Sequence, residues 1–553
     1  MASQAPRDLE NRLKILLIAP WGNPRYWVEQ IYRPPAIPEK CRPAEQEKYG
    51  EGFGSRSSTL AIAKQIEKVG EPSIVIIASE SLADKRDLDE CKSTNPGKPK
   101  ECIDTRVLGK IWDFIKTSLQ QPPARLYIKI APAIGIFPET VFRGHANNYK
   151  AYTLIETLKI MEETDPDIVM VDTTHGINYM PIAALEAVRE AAEIHLLRKK
   201  NSKRIKILAV NSDPVPGTPR EPQELYIHII SCEEIDTERA RDKAYREIED
   251  LGPGGFIVHN RIREQIEAEE KALITNLERC SKGLEETLKD LKALIRSTRL
   301  GLPIAIAIQA RDIAKHGRKP CIVQSVREAL ESIRIRDHGG RAIVERSIAI
   351  KPEALATALT IEALIEDIIT IGSESSKVRE EAGSILFTIE HLEGILDQYV
   401  VDEVAENIAS HELSDIKDRL ECVKHSGGYE VMKSKGTPIP WGAIYDATEK
   451  AVDRDQSFID MCRRSRSRDS YRPDQELASK LREELEKSIK GYEALRGRRP
   501  CTYGDPQPRN FYAHAGFEKN ATMIYIDRED RVWIGYEKEC WEGKIRGVIA
   551  GSS

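Results

Sequence analysis

Near the carboxyl terminus, Pro508-Arg509-Asn510-Phe511-Tyr512-Ala513-His514-Ala515-Gly516-Phe517 brings a guanidinium, an amide and an imidazole within six residues of one another. On a helix Asn510 and His514 are four apart and Arg509 and His514 five apart, so the three polar groups can face one groove while Phe511 packs. With no metal ligands nearby, such a set suits RNA cleavage by the ribose 2′-OH. The imidazole handles a proton near neutral pH, and the guanidinium stabilises charge on the phosphoryl oxygens. DNA lacks the 2′-OH. The spacing itself is not specific, because Arg311 with His316, Arg189 with His195 and Arg419 with His425 offer similar pairs. What sets Arg509 apart is the asparagine directly after it, the Ala-His-Ala-Gly stretch and its position after long helical segments. The competing reading is a buried or capping histidine on a helix that merely packs.

A second set of polar residues lies in loops that follow apolar runs. Pro20, Trp21, Gly22 and Asn23 follow the first run; Asp172, Thr173, Thr174, His175, Gly176 and Asn178 follow a later one, and Asn211-Ser212-Asp213-Pro214 the next. Small hydroxylated residues at the start of a helix make a phosphate site, since free N–H groups and the dipole point outward. An adenine could stack on Trp21. Ser55, Arg56 and Ser57, ahead of another helix, could add a phosphate contact with Arg56 as the cation. Each also has a structural reading: Asp172, Thr173 and Thr174 as helix caps, His175 as a satisfied histidine, Ser55 and Ser57 as cap residues. The dinucleotide fingerprint G-x-G-x-x-G is absent after the first run, which disfavours a nicotinamide or flavin enzyme, and no P-loop sequence is present.

These loops are informative only if the runs before them are parallel strands. Leu13 to Ala19, Ser73 to Ala78, Leu126 to Ala131, Asp167 to Val171, Lys206 to Val210 and Leu225 to Ile230 are short, apolar and β-branched, with helical patterns such as Thr59 to Val69, Tyr152 to Glu163 and Pro181 to Leu197 between them. That alternation predicts a Rossmann-like α/β domain, whose ligands bind beyond the carboxyl ends of the strands. After about residue 235 the periodicity turns helical, in Ile262 to Ile295, Pro352 to Cys422 and Gln475 to Leu495. The stretch MIYIDREDRVWIGY near the end predicts a β-hairpin. The basic run Arg463 to Arg472 reads as a solvated loop.

The 553 residues suffice for two to four domains of roughly 150 residues. Lys+Arg at 83 against Asp+Glu at 89 leaves a net charge of −6, which excludes a uniformly basic coat but not a local basic groove. No apolar run approaches the roughly 20 residues of a membrane span, and the first residues lack an apolar signal core, so no membrane and a cytoplasmic location are expected. The ten cysteines are dispersed without a C-x-x-C pair, arguing against a zinc ribbon. Most are expected as buried apolar residues, with Cys91 and Cys102 able to form a bridge.

Taken in order, PWGNP, DTTHGIN and RNFYAHAGF resemble the CRISPR-associated CARF–HEPN ribonucleases of type III systems. The resemblance implies a Rossmann-like α/β CARF domain (1–235), an all-α connector (236–345) that in relatives can include a helix-turn-helix-like piece, and an α-helical HEPN domain with a short terminal β-hairpin (346–553). It implies a CARF dimer that binds a cyclic oligoadenylate, most often cyclic tetraadenylate, as allosteric activator. Trp21, Gly22, Asn23, Thr173, Thr174, His175, Gly176 and Asn178 would line that site, with Pro20, Ser55, Arg56 and Ser57 beside them. It further implies a homodimer or a higher oligomer of dimers, in which Arg509, Asn510 and His514 of both copies cut single-stranded RNA without a metal or other cofactor. Two alternatives are a ligand-sensing transcription regulator that binds DNA, and a CARF domain that also degrades its cyclic oligoadenylate.

Overall fold

The computed structural model describes residues 12–41, 48–95, 97–119, 123–199, 203–215, 221–251, 259–261, 268–316, 321–372, 375–452, 457–460, 462, 475–494, 501 and 506–550. The chain begins with β1 (Leu13–Trp21), β2 (Gln30–Arg33), β3 (Phe53–Ser55), α1 (Ser58–Ile66), β4 (Gly70–Ser79), α2 (Lys85–Thr94), α3 (Pro99–Ser118) and β5 (Leu126–Ala131). Two short strands, β6 (Gly135–Ile136) and β7 (Thr140–Arg143), precede α4 (Ala146–Thr164), β8 (Ile168–Asp172), α5 (Met180–Leu197), β9 (Arg204–Ser212) and β10 (Glu224–Asp236). Then come α6 (Thr237–Asp250), β11 (His259–Arg261), α7 (Ala268–Arg299), α8 (Pro303–His316), α9 (Ile322–Glu331), β12 (Arg334–His338), β13 (Arg341–Glu345) and β14 (Ile348–Ile350). The last part holds α10 (Pro352–Gly372), β15 (Val378–Glu381), β16 (Ser384–Thr388), α11 (Ile389–Tyr399), α12 (Glu403–His425), α13 (Gly428–Lys435), β17 (Ile439–Pro440) and α14 (Trp441–Ala451). It closes with α15 (Gln475–Glu493), α16 (Pro508–Ala513), β18 (Thr522–Ile526) and β19 (Val532–Glu537), followed by short helical turns.

Two compact units result, residues 1–286 with 318–364 and residues 287–317 with 365–553. In the first, an eight-stranded sheet runs in the order β3-β2-β10-β9-β8-β1-β4-β5. All six apolar runs are strands of it. β1 is parallel to β4 on one side and to β8 on the other, with Ile18 opposite both Val75 and Val171. Its apolar residues are uninterrupted because both sheet faces are covered. Leu17, Ile76, Met170 and Leu208 pack with Ile62 of α1 and Val107 of α3, while α4 and α5 lie against the sheet as well. Chain order reverses at β1, since β4 follows on one side and β8 on the other, so the carboxyl ends of β1 and β8 form the switch point at which such sheets bind ligands in a crevice.

The stretch after β10 is mainly helical, and it adds a feature that its pattern did not show. Residues 334–350 form β12, β13 and β14, and β13 pairs in parallel with β7 to build a four-stranded sheet β12-β13-β7-β6. Just after β13, Arg346 forms a buried ion pair with Glu80, the residue that follows β4, and Glu80 also meets Lys100 of α3.

In the second unit helices surround a five-stranded sheet, β15-β16-β19-β18-β17. The expected terminal hairpin is β18 and β19, paired with Ile524 opposite Ile534. The hairpin β15–β16 lies inside the stretch 352–422, which the periodicity reads as helical throughout. Its turn is Ala382-Gly383, both at positive φ (46° and 82°), the conformation a two-residue hairpin loop requires. β16 then closes tightly on β19, where a Cβ at Gly535 would fall 1.7 Å from the Ile385 carbonyl oxygen. The basic run 463–472 lies outside the described residues.

The cysteines are a correction to the reading of mostly unpaired apolar residues. Cys91–Cys102 is bridged, and so are Cys41–Cys232, Cys280–Cys321, Cys422–Cys462 and Cys501–Cys540, with Cα separations of 4.4–6.0 Å. Only Cys91 and Cys102 are close in sequence; the other partners are 39 to 191 residues apart and meet through tertiary structure, which spacing alone cannot encode. Among the described residues no helix is long and apolar enough to cross a membrane.

Candidate functional site

In the first unit, two loops meet beyond β1 and β8. The Gly22 N–H donates to the His175 carbonyl at 2.8 Å, and a Cβ on Gly22 would lie 2.8 Å from Ile177 Cγ1, so only glycine permits this approach. Gly176 is equally constrained, because a Cβ there would meet Pro181 Cγ at 2.4 Å. Asn178 takes the left-handed conformation at φ 48°, which asparagine tolerates better than most residues.

Asp172 organises this crevice. Its buried carboxylate accepts the hydroxyls of Ser58 and Thr59, both at 2.7 Å, and the Thr174 N–H at 3.1 Å. The sequence suggested only a cap for Asp172; instead it joins the end of β8 to the start of α1. His175 Nε2 accepts the Ser58 N–H at 3.1 Å, which requires a lone pair there and hence a neutral ring. Burial lowers its pKa to about 4, outweighing the opposing pull of Asp172. The imidazole stacks on Trp27 with centroids 3.9 Å apart.

Several residues read as ligand contacts are placed otherwise. Trp21 is 0% exposed, donates its indole N–H to Thr59 Oγ1 at 3.0 Å and meets Trp27 and Phe114 edge-on. It has no free face for an adenine. Pro20, Gly22, Ser55 and Ser57 are buried as well, and Ser55 and Ser57 bond to each other ahead of α1. The Thr173 hydroxyl donates to the Val210 carbonyl at 2.8 Å, so its proton is committed to β9. Thr174 Oγ1 accepts the Ser212 N–H at 3.1 Å, which leaves its own proton available for an anion. Asn23 and Asn178 are exposed. Asn23 Oδ1 caps the turn at Arg25 N, leaving the amide NH₂ to donate. Arg56 is half-buried, with Nε donating to the Trp27 carbonyl and the guanidinium over the Phe114 ring. The exposed Tyr26 and half-buried Trp27, which the sequence reading passed over, lie in and at the end of the turn that Asn23 caps; the sequence signal was their place just after PWGNP.

In the second unit the Arg509 segment forms the short helix α16, with Pro508 in its first turn. The helix stops at Ala513, so His514 is its C-cap rather than a helical residue. The Gly516 N–H bonds the Phe511 carbonyl at 2.8 Å and the Ala515 N–H bonds the Tyr512 carbonyl at 3.2 Å, a Schellman closure with both residues at positive φ. Gly516 is required there, since a Cβ would fall 2.6 Å from the Tyr536 hydroxyl that donates to its carbonyl. Phe511 is 0% exposed and anchors the helix, while Arg509, Asn510 and His514 are exposed. His514 Nδ1 lies 3.1 Å from Oε1 of Glu412 on α12. Glu518, four residues after His514, is buried, and burial raises its pKa against the Gln507 N–H and nearby His514. Nothing in the local sequence pointed to Glu412. Among the described residues no group of three or more His, Cys, Asp or Glu is placed to hold a metal ion.

Comparison with known proteins agrees with this division of labour. Residues 16–214 match the CARF domain of CRISPR system endoribonuclease Csx1, and residues 402–539 match the HEPN domain of the same protein. Together the two matches cover more than half of the chain. The CRISPR system endoribonuclease Csx1 of Methanocaldococcus jannaschii is 28% identical over 222 residues, which is 39% of this chain and 40% of that relative. The chain thus aligns with well under two thirds of that relative's length. With both domains present and in the same order, the chain belongs to the Csx1 family of CRISPR-associated CARF–HEPN proteins.

Proposed function

We propose that this protein is a cyclic-oligoadenylate-activated, metal-independent endoribonuclease of type III CRISPR antiviral defence, acting on single-stranded RNA in the cytoplasm as a homodimer or a higher oligomer of dimers. The observation that carries the reading is the exposed trio of Arg509 and Asn510, on a helix whose apolar side is pinned by Phe511, and His514, its C-cap. Exposed polar groups on so firmly closed a turn are organised for a ligand rather than for packing.

In the proposed reaction the 2′-oxygen attacks the adjacent phosphorus and the bond to the 5′-oxygen breaks, leaving a 2′,3′-cyclic phosphate and a 5′-hydroxyl. The 2′-OH proton passes to an imidazole, and the departing oxygen takes one from an imidazole. His514 from each of two copies would supply both groups. Arg509 would clamp the phosphoryl oxygens and Asn510 would orient them. Dimerisation is supported by Val404 and Ile408, both exposed and on the same face of α12 as Glu412. The cyclic tetraadenylate would bind beyond β1 and β8, against Asn23, Thr174, Asn178 and Arg56. Asp172, His175 and the two glycines would hold those loops in shape. An isologous pair of such sites matches a ring of equivalent phosphates, and binding would favour the cleaving conformation.

The test is cleavage of labelled single-stranded RNA with and without cyclic tetraadenylate, in the presence of a chelator. Cleavage only with the ring, leaving cyclic-phosphate ends, supports the reading. No cleavage with the ring, or cleavage only after a divalent metal is restored, overturns it.

A further inference from the structure

The contact between His514 and Glu412 is not explained by the Arg509 to His514 spacing, since Glu412 lies 102 residues away in the chain. An ionised carboxylate can only accept, so the proton in this contact sits on Nδ1, and the neutral form of such a ring carries its lone pair on Nε2. The two side chains differ in freedom: that of His514 is 52% exposed and that of Glu412 only 25%. The partner that fixes the tautomer is therefore the better held of the two. Glu412 is in mid-helix on α12, whose Ala409 and Leu413 are buried.

We propose that Glu412 is the positioning residue of the nuclease, holding His514 with Nδ1–H towards its carboxylate and Nε2 towards the RNA. The proposal rests on the nuclease reading above. When Nε2 takes the 2′-OH proton, the ring becomes an imidazolium whose charge Glu412 stabilises; no proton passes to Glu412. Glu518 also interacts with the ring electrostatically, and Arg509 and Asn510 precede it on α16. Glu518 does not substitute for Glu412: its Oε2 is buried without a hydrogen-bond partner among the described residues, and the Gln507 N–H bonds its carboxylate.

The test compares wild type, Glu412→Gln and Glu412→Ala in ring-activated RNA cleavage from about pH 5 to about pH 9, the range in which a histidine base titrates. Glu412→Ala should lower kcat at least roughly 10-fold and at most about 10⁴-fold, the loss seen when the buried carboxylate that orients a reacting histidine is removed, with KM changed less than about twofold. Glu412→Gln keeps an acceptor for Nδ1–H but loses the charge, so its loss should be smaller. In both, the acid limb of the kcat profile should move to lower pH, because an imidazolium without its carboxylate gives up its proton more easily. A merely structural role would lower stability and move no limb. Unchanged kcat and an unchanged limb in both variants overturn the assignment. If wild type cleaves no RNA, the proposed function fails on its own, and the titration of the His514 ring followed by NMR in the full chain decides this inference: a lower pKa in Glu412→Gln sustains it, an identical one overturns it.

Discussion

Nε2 of His175, beyond the end of β8, accepts the backbone N–H of Ser58, the first residue of α1, at 3.1 Å. With Asp172 gripping the Ser58 and Thr59 hydroxyls, one helix start is tied to one strand end by three hydrogen bonds. The proposed ring site is therefore a preformed crevice, and its supporting groups can be separated from its contacting groups by experiment.

Asp172→Ala should be the more damaging change on the supporting side. It leaves two hydroxyls and the Thr174 N–H without their acceptor, and hydrogen bonds to a charged group are worth about 1.5–3 kcal/mol each. Thermal unfolding should show a clear fall in Tm together with lost activation by the ring. Asn23→Ala, at an exposed position, should weaken activation while leaving Tm unchanged. Equal Tm values for Asp172→Ala and wild type would refute the supporting role.

Two buried histidines should cost the fold stability as pH drops from about 6.5 to about 4, against an opposite and smaller gain from Asp104, whose carboxyl burial raises to about 6. Burial lowers both His175 and His195 to about 4 from 6.5. Between those values the unfolded chain binds two protons that the folded unit does not, so unfolding becomes easier as the solution is acidified, and the full contribution is present only above about pH 6.5. Urea unfolding across this window should show the midpoint falling. The fall should be shallower in His175→Asn than in wild type, and equal slopes in the two would contradict the neutral, accepting state of His175.

The denatured chain should show no free thiol before reduction and ten after it, since all ten cysteines are paired among the described residues. Removing a bridge by Cys41→Ser with Cys232→Ser should cost up to about 5 kcal/mol, as that bridge closes a loop of 191 residues. Free thiols in the unreduced, denatured protein would contradict the pairing.

Arg509→Ala and Phe511→Ala, two residues apart, should fail in different ways. Arg509 is exposed, so its loss should abolish cleavage and leave Tm within about a degree, as for surface changes generally. Phe511 is fully buried, and its truncation should cost about 3–5 kcal/mol and take activity with it. Activity retained by Arg509→Ala in a fully folded protein would remove the phosphate clamp from the mechanism.

How much of this was legible in the sequence depended on the distance over which each signal acts. Burial on both faces of a parallel sheet leaves a local mark, so the runs from Leu13 and from Asp167 could be read directly, and with them the region beyond the strand ends. The RNFYAHAGF segment was legible for the same reason, though the helix ends one residue before His514 because Ala515 and Gly516 turn left-handed. Trp21 was misread because an aromatic after a strand looks like a stacking platform until the nearby Trp27 and the distant Phe114 are seen to enclose it. Glu412, the β13 pairing with β7 and four of the five bridges are tertiary facts, joining residues tens to hundreds of positions apart. The β15–β16 hairpin was hidden by the helical periodicity on both sides of it.

The most direct test of the central claim measures ring binding and RNA cleavage on one preparation of His514→Ala. The account predicts cyclic tetraadenylate affinity equal to wild type, by titration calorimetry, and no RNA cleavage at saturating ring. Robust residual cleavage by His514→Ala, with the ring still bound, would contradict it.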